Sequence, residues 1–306
     1  MSEQIKEASG VLIVNKHAGV TSHDIVGKIR RLYGTRQVGH TGTLDPMATG
    51  ILVVLIGRAA KASEYLASDR KQYRATLRLG ITTDTEDVTG TTLTQTDSIP
   101  NESTVMEILP QFRGKIKQIP PMYSALKVNG RKLVDLAREG VVIERQAREI
   151  EIFDLLAEST EAASDYRLTV TCSGGTYIRT LCADIGASLG CGGAMATLER
   201  CEACGFSIEN AHTIAELEEM TMEERQDLLI PTERLFDDLP PIRLSEFYEH
   251  LIRNGCAVQQ KKLKCDFPVL QRVRLYDPAG LFFAIGEIVQ TEDGPSVKAI
   301  KTFVLA

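Results

Sequence analysis

Residues 38–50 read Val38-Gly39-His40-Thr41-Gly42-Thr43-Leu44-Asp45-Pro46-Met47-Ala48-Thr49-Gly50, a stretch rich in Gly, Thr and Pro that carries a single acid. Glycines at 39 and 42 permit close approach of a ligand to the backbone. Pro46 biases Asp45 towards an extended conformation that projects its carboxylate. The apolar run from Ile51 to Ile56 suits a buried segment, so Asp45 is expected on a loop beside the core. Spacing alone equally permits an Asx-type turn around a structural Asp, and it names no reaction.

Upstream, alternation at Val11 to Val14 predicts a strand. A Gly-Val-Thr-Ser turn follows, in which Thr21 or Ser22 caps a helix through Ile25, Ile29 and Leu32. Downstream, Tyr73, Ala75, Leu77 and Leu79 alternate with Arg74, Thr76 and Arg78, the period of a half-buried strand with Tyr73 near its start. Leu168 to Cys172 alternates likewise. After Gly174-Gly175 the pattern Ile178, Leu181, Ile185, Leu189 is helical, which puts Arg179 near a helix N-terminus. Residues 211–230 read as one acidic amphipathic helix.

The Pro240-Pro241 pair then marks a boundary between a domain of residues 1–238 and one of residues 239–306. Strand patterns at Val273 to Tyr276, Leu281 to Val289 and Val297 to Val304 make the second domain a small β-rich, barrel-like module.

The 306 residues are 43% hydrophobic and 25% charged, an ordinary globular composition. No run approaches the roughly 18 apolar residues of a membrane span, and MSEQIKEASG is polar, so a cytoplasmic address without membrane contact is expected. Seven cysteines, from Cys172 to Cys265, read as reduced thiols. Cys201 and Cys204 form a CxxC with Cys191 upstream, but neither a second CxxC nor a spaced His pair accompanies it, so no metal is expected.

A net charge of −6 argues at first against a nucleic-acid partner. Yet residues 209–238 hold ten acids against Arg225 and Arg234, a local −8 that leaves +2 elsewhere. The remainder contains basic groups at residues 28–36, 58–78 and 113–132, which permit RNA without requiring it.

Residues 39–50, GHTGTLDPMATG, resemble the signature of TruB-type pseudouridine synthases. KHAGVTSHDIVGKIRR (16–31), DRKQYRATLRLGITTDTEDVTG (69–90), QIPPMYSALKVNGRKLVDLARE (118–139) and GGTYIRTL (174–181) resemble four further motifs, in the family's order. The resemblance covers roughly residues 10–208, and residues 239–306 look like the PUA-type RNA-binding domain such enzymes often carry. It implies an α/β (α+β) catalytic domain with a mixed, largely antiparallel sheet and a central cleft. The implied activity is isomerisation of uridine in the T-loop of tRNA, at position 55, by a monomer without cofactor.

The same resemblance makes Asp45 the catalytic carboxylate, Tyr73 the aromatic that stacks on uracil and Arg179 the partner of the carboxylate. His40 would stack where the everted nucleotide had been. Gly42, Thr43, Lys16, Lys61, Tyr177 and Leu198 are placed in or near the site as substrate-binding residues. Chemistry agrees, because exchanging the ribose C1′–N1 bond for C1′–C5 requires a carboxylate at C1′ or at C6 and no redox carrier. A guanidinium favours the charged form of a carboxylate that burial would otherwise protonate.

The chain departs from the family pattern at His17, Val53, Ala60 and Val134, and more seriously at Ala194 and Glu199 beside Arg200, which implies weaker RNA contact near Leu198. Two other readings compete. An RNA-binding or tRNA-folding protein with vestigial catalysis would not need Asp45. A hydrolase pairing Asp45 with His40 would display a second carboxylate or metal ligands.

Overall fold

A computed structural model of the chain describes residues 8–66 and 70–303. Its first strands are β1 Gly10–Lys16, β2 Val38–His40, β3 Thr49–Ile56 and β4 Lys71–Leu79. A hairpin of β5 Ile81–Thr83 and β6 Thr92–Gln95, then β7 Gly114–Gln118 and a small hairpin of β8 Lys127–Val128 and β9 Arg131–Lys132 follow. The set continues with β10 Arg148–Ser159, β11 Asp165–Cys172, β12 Gly193–Ala203 and β13 Phe206–Ser207. Between them lie α1 Ser22–Leu32, α2 Glu102–Ile108, α3 Leu133–Arg138 and α4 Ile178–Ser188.

These strands make a mixed sheet in the order β1-β3-β12-β4-β11-β10-β7, with β2 added to β3 and β13 to β12. Neighbours are antiparallel except β12 and β3, whose parallel register consists of Glu199↔Thr49 and Arg200↔Gly50. The mixed, largely antiparallel sheet that the family resemblance implies is therefore present, and its short parallel seam adjoins the 41–48 loop. Gly50 makes the seam possible. Its φ is +98°, and a Cβ there would lie 2.3 Å from the Arg200 carbonyl oxygen, so a side chain would force the strands apart.

β4 keeps Tyr73, Ala75, Leu77 and Leu79 buried, as its period requires. On this face packs α4, which buries Ile178, Leu181, Cys182 and Ile185. Each large aliphatic contributes roughly 1.5–3 kcal/mol by leaving water. Close approach is possible because Gly186 faces Gly193, where a Cβ would come within 2.1 Å of the Gly193 nitrogen. Leu181→Ala would open a cavity at this contact.

Thr21 caps α1 in a capping box with Asp24, its hydroxyl accepting from the Asp24 amide at 3.1 Å. Ser22 is freed for another contact, described below. The segment read as one acidic helix over 211–230 is two, α5 Ile214–Glu219 and α6 Met222–Asp227. The correction has a local cause. Met220 is extended (φ −75°, ψ 150°), and Thr221 starts a new helix by accepting from Glu224 N at 3.3 Å, a second capping box that competes with continuation.

Residues 241–302 form a second, five-stranded sheet in the order β14-β16-β17-β18-β15. Its strands are β14 Pro241–Arg243, β15 Val258–Gln259, β16 Arg272–Tyr276, β17 Phe282–Thr291 and β18 Gly294–Thr302, with α7 Glu246–Arg253 and α8 Gln260–Leu263 between them. All three strand patterns expected here are present, although Val304 lies outside the described residues. Phe236 seals this sheet to the first, packing 6.2 Å from Phe282 and 5.7 Å from Phe303.

Candidate active site

Asp45 is held from below and from both flanks. Ser22, buried at the start of α1, donates to the Leu44 carbonyl at 3.1 Å while its oxygen accepts from the Leu44 amide at 2.8 Å. Lys16, fully buried at the end of β1, donates to the carbonyls of Ala48 (2.5 Å), His17 (3.0 Å) and Pro46 (3.2 Å). Burial pushes the Lys16 amine down to about 8. These bonds tie the residues around Asp45 to the first strand and helix, so the backbone that carries the carboxylate has little freedom.

Opposite, Arg179 rises from the first turn of α4 with its side chain only 5% exposed. Its Nε lies 2.9 Å from Asp45 Oδ2 and its Nη2 3.2 Å from Oδ1, a two-pronged pair. The remaining donors meet the Tyr123 carbonyl (2.8 Å) and the Thr85 carbonyl (3.1 Å). Behind Arg179 stands a second carboxylate, Asp87, with Oδ2 3.9 Å from Nη1. Asp87 is itself fixed, its Oδ1 accepting from Thr85 Oγ1 (2.9 Å), Thr89 N (2.9 Å) and Thr89 Oγ1 (2.5 Å).

The pair borders a cleft of about 310 Å³, lined among others by Gly42, Thr43, Tyr73, Tyr177 and Leu198. Burial pushes the Asp45 carboxyl up from its ordinary value, Arg179 opposes that shift, and Asp87 adds to it. Burial likewise raises the Tyr73 and Tyr177 phenols, which stay protonated at neutral pH. The result is a carboxylate beside an aromatic, in a pocket large enough for a pyrimidine and part of its sugar.

Among the residues singled out from the sequence, Asp45, Arg179, Tyr73, Gly42, Thr43, Tyr177 and Leu198 come together at this cleft. His40, half-buried on β2, stands outside the cleft lining. Burial, and then the Arg200 charge, keep its imidazole below its ordinary value and hence neutral. Lys16 lies beneath the Asp45 loop, spending its donors on backbone carbonyls close enough for its charge to act on the Asp45 carboxyl, and Lys61 is exposed on the 3₁₀ segment Gly57–Tyr65 and is not part of the cleft lining.

Sequence reading missed Asp87, one of three acids in residues 84–87. Its signal was the flanking pair Thr85 and Thr89, whose hydroxyls both reach it. Arg200, read with Glu199 as a departure that weakens RNA contact near Leu198, turns inward and is 1% exposed, while Glu199 pairs with Arg74 outside. Ala194 is fully buried and presents nothing to a ligand.

Residues 30–178 match the family model of the TruB family pseudouridylate synthase N-terminal domain, and residues 179–237 match that of the tRNA pseudouridylate synthase B C-terminal domain. A tRNA pseudouridine synthase B of Clostridium tetani is 39% identical over 298 residues, 97% of this chain and 100% of the relative. The chain belongs to the TruB family of pseudouridylate synthases.

Another TruB relative, the tRNA pseudouridine synthase B of Halalkalibacterium halodurans, is 41% identical over 295 residues, 94% of this chain and 95% of its own. Among solved structures, a Cbf5-Nop10-Gar1 complex aligns with a TM-score of 0.72 at 22% identity, covering 98% of this chain and 87% of the other. An archaeal box H/ACA sRNP Nop10-Cbf5 complex aligns at 0.71 and 21%, covering 98% and 88%. Both show the same fold. In this TruB-family chain the boundary between the two matched segments falls at Arg179, so the ion pair joins one matched segment to the other.

Proposed function

We propose that the TruB activity of this chain, uridine-to-pseudouridine isomerisation in tRNA, is performed at the Asp45 cleft on the T-loop uridine at position 55. The enzyme is an isomerase. In this reading it works as a cytoplasmic monomer that needs no metal or cofactor. The observation that carries the reading is the two-pronged Arg179–Asp45 pair at the edge of a cleft that also presents Tyr73.

A uracil stacked within folded RNA must be turned out before its glycosidic bond is reached, at a cost of a few kcal/mol that stacking partly offsets. Tyr73 supplies that stacking surface, and His40, neutral and flat, fills the place the base leaves. Leu198 and Tyr177 border the nucleotide, and the backbone at Gly42 and Thr43 lets it approach. Asp45, kept ionisable by Arg179, assists at C1′ or at C6 while the N1 bond breaks. The base turns, C5 joins C1′, the C5 proton departs and N1, which kept the electron pair of the broken bond, takes up a proton.

Residues 239–306 serve as an RNA-gripping domain, with the boundary at 238/239. A binding protein with vestigial catalysis would have no use for an oriented, partly desolvated carboxylate, so this alternative is not favoured.

The test is tritium release from C5 of uridine in tRNA labelled at the T-loop position. Wild-type enzyme should release one tritium per tRNA. Asp45→Asn should release almost none while binding tRNA within roughly tenfold of wild type. Substantial release by the variant would falsify the role of Asp45, and wild-type enzyme that releases no tritium from the T-loop label but does so from tRNA labelled at its other uridines would overturn the T-loop assignment.

A further inference from the structure

Asp45 and Tyr73 must face the same nucleotide, yet they belong to different elements, the 41–48 loop and β4. Arg200 of β12 touches both. Its Nε donates to the Ile51 carbonyl at 2.8 Å and its Nη2 to the Gly42 carbonyl at 3.0 Å, so one guanidinium grips the chain on either side of Asp45. It stands directly across the β12–β4 pairing from Tyr73, where its charge opposes the rise that burial imposes on the Tyr73 phenol, and its backbone pairs with Gly50 at the parallel seam.

The side chain is 1% exposed. A guanidinium so buried is costly unless fixed dipoles meet it, and here the dipoles are the Ile51 and Gly42 carbonyls. Its neighbour Glu199 gives it no help, being paired with Arg74 at 3.7 Å on the outer face. A planar fork can reach several acceptors in fixed directions at once, whereas a lysine concentrates its donors at one point.

We propose that Arg200 is a positioning residue for the isomerisation, holding the Asp45 loop in register with the Tyr73 ring from the wall of the cleft. The inference rests on the reading of Asp45 and Tyr73 given above.

Full-length Arg200→Met and Arg200→Lys, assayed by tritium release and by tRNA binding, test it. Misplacing a catalytic group by about 1 Å costs on the order of 100-fold in rate, so kcat should fall ~100-fold in Arg200→Met. KM and tRNA affinity should stay within about threefold, and Arg200→Lys should recover part of the rate. Because Arg200 and Tyr73 stand opposite each other across the β12–β4 pairing, Tyr73→Phe and Arg200→Met combined should lose less than the product of their separate effects. A general loss of structure would multiply through, and would appear in the melting temperature.

Wild-type kcat in either folded variant, or fully multiplicative losses, overturns the inference. If Arg200→Met does not fold, Arg200→Lys alone decides by the same kcat-against-affinity split. If Asp45→Asn keeps its activity, the underlying reading has failed. If that variant is inactive while the Arg200 variants match wild type, only the role of Arg200 has.

Discussion

Arg179 meets Asp45 edge-on, Nε 2.9 Å from Oδ2 and Nη2 3.2 Å from Oδ1, while the Thr85 and Tyr123 carbonyls hold the rest of its fork. All three partners are distant in sequence, so the guanidinium is fixed independently of the carboxylate it orients. Arg179→Lys keeps the charge and loses the fork. We expect kcat to fall ~100-fold with tRNA affinity nearly unchanged; near-wild-type kcat would show that orientation by the fork is dispensable.

Asp45 should set the acid limb of the reaction. Its carboxyl is raised above the ordinary 3.8, chiefly by burial, and chemistry needs the charged form. Single-turnover rates should therefore fall as pH drops through a value above the usual carboxylate range. The stability sign is opposite. A raised folded-state value favours folding below pH 3.8, and that contribution is lost as pH rises through the raised value. Asp45→Asn, uncharged throughout, should match or exceed wild type in denaturation midpoint at pH 7.5; a clear loss there would contradict the burial argument.

Asp87 pushes Asp45 up, so Asp87→Asn should move that acid limb to lower pH. Thr85 and Thr89 would still meet the remaining carbonyl oxygen, and Arg179 keeps Asp45 itself, so the rate should drop by about tenfold rather than collapse. An acid limb that stays in place, or moves up, would exclude this coupling.

Lys16→Met strips three carbonyls of their partner beneath the loop and should cost roughly 2–4 kcal/mol in chemical denaturation at pH 7. The comparison has its own pH signature. Because the folded amine is lowered to about 8 from 10.5, the folded state binds fewer protons than the unfolded chain between those values. Wild type should gain stability over the variant as pH rises through that window, and a flat difference would argue against a titrating Lys16.

Truncation after Asp238 should not give a clean catalytic domain. It would uncover Phe236, stripped of Phe282 and Phe303, and Leu235, which shares their apolar cluster with Ile285. Loss of such a contact is worth several kcal/mol, so the melting temperature should fall by several degrees before any loss of RNA grip is read out. An unchanged melting temperature would show the two sheets to be energetically independent.

Much of this protein was written locally. The alternation of β4, the cap at Thr21, the helical period after Gly175 and the Gly-rich loop around Asp45 each follow from residues a few positions apart, and each stands where the sequence placed it. Even the break between α5 and α6 was present as Thr221-x-x-Glu224, a cap signal outweighed in the reading by the acidic periodicity. Tertiary structure decided what long-range partners decide. Lys16 looks in sequence like a substrate-binding cation and Arg200 like one half of a broken basic pair, but each is buried against carbonyls in or beside the Asp45 loop, 30 and 32 positions away for Lys16 and about 150 for Arg200. Asp87 is one acid among three until folding sets it behind Arg179. A side chain's charge is local, but whether water, an anion or a carbonyl dipole meets it depends on which distant strands close over it.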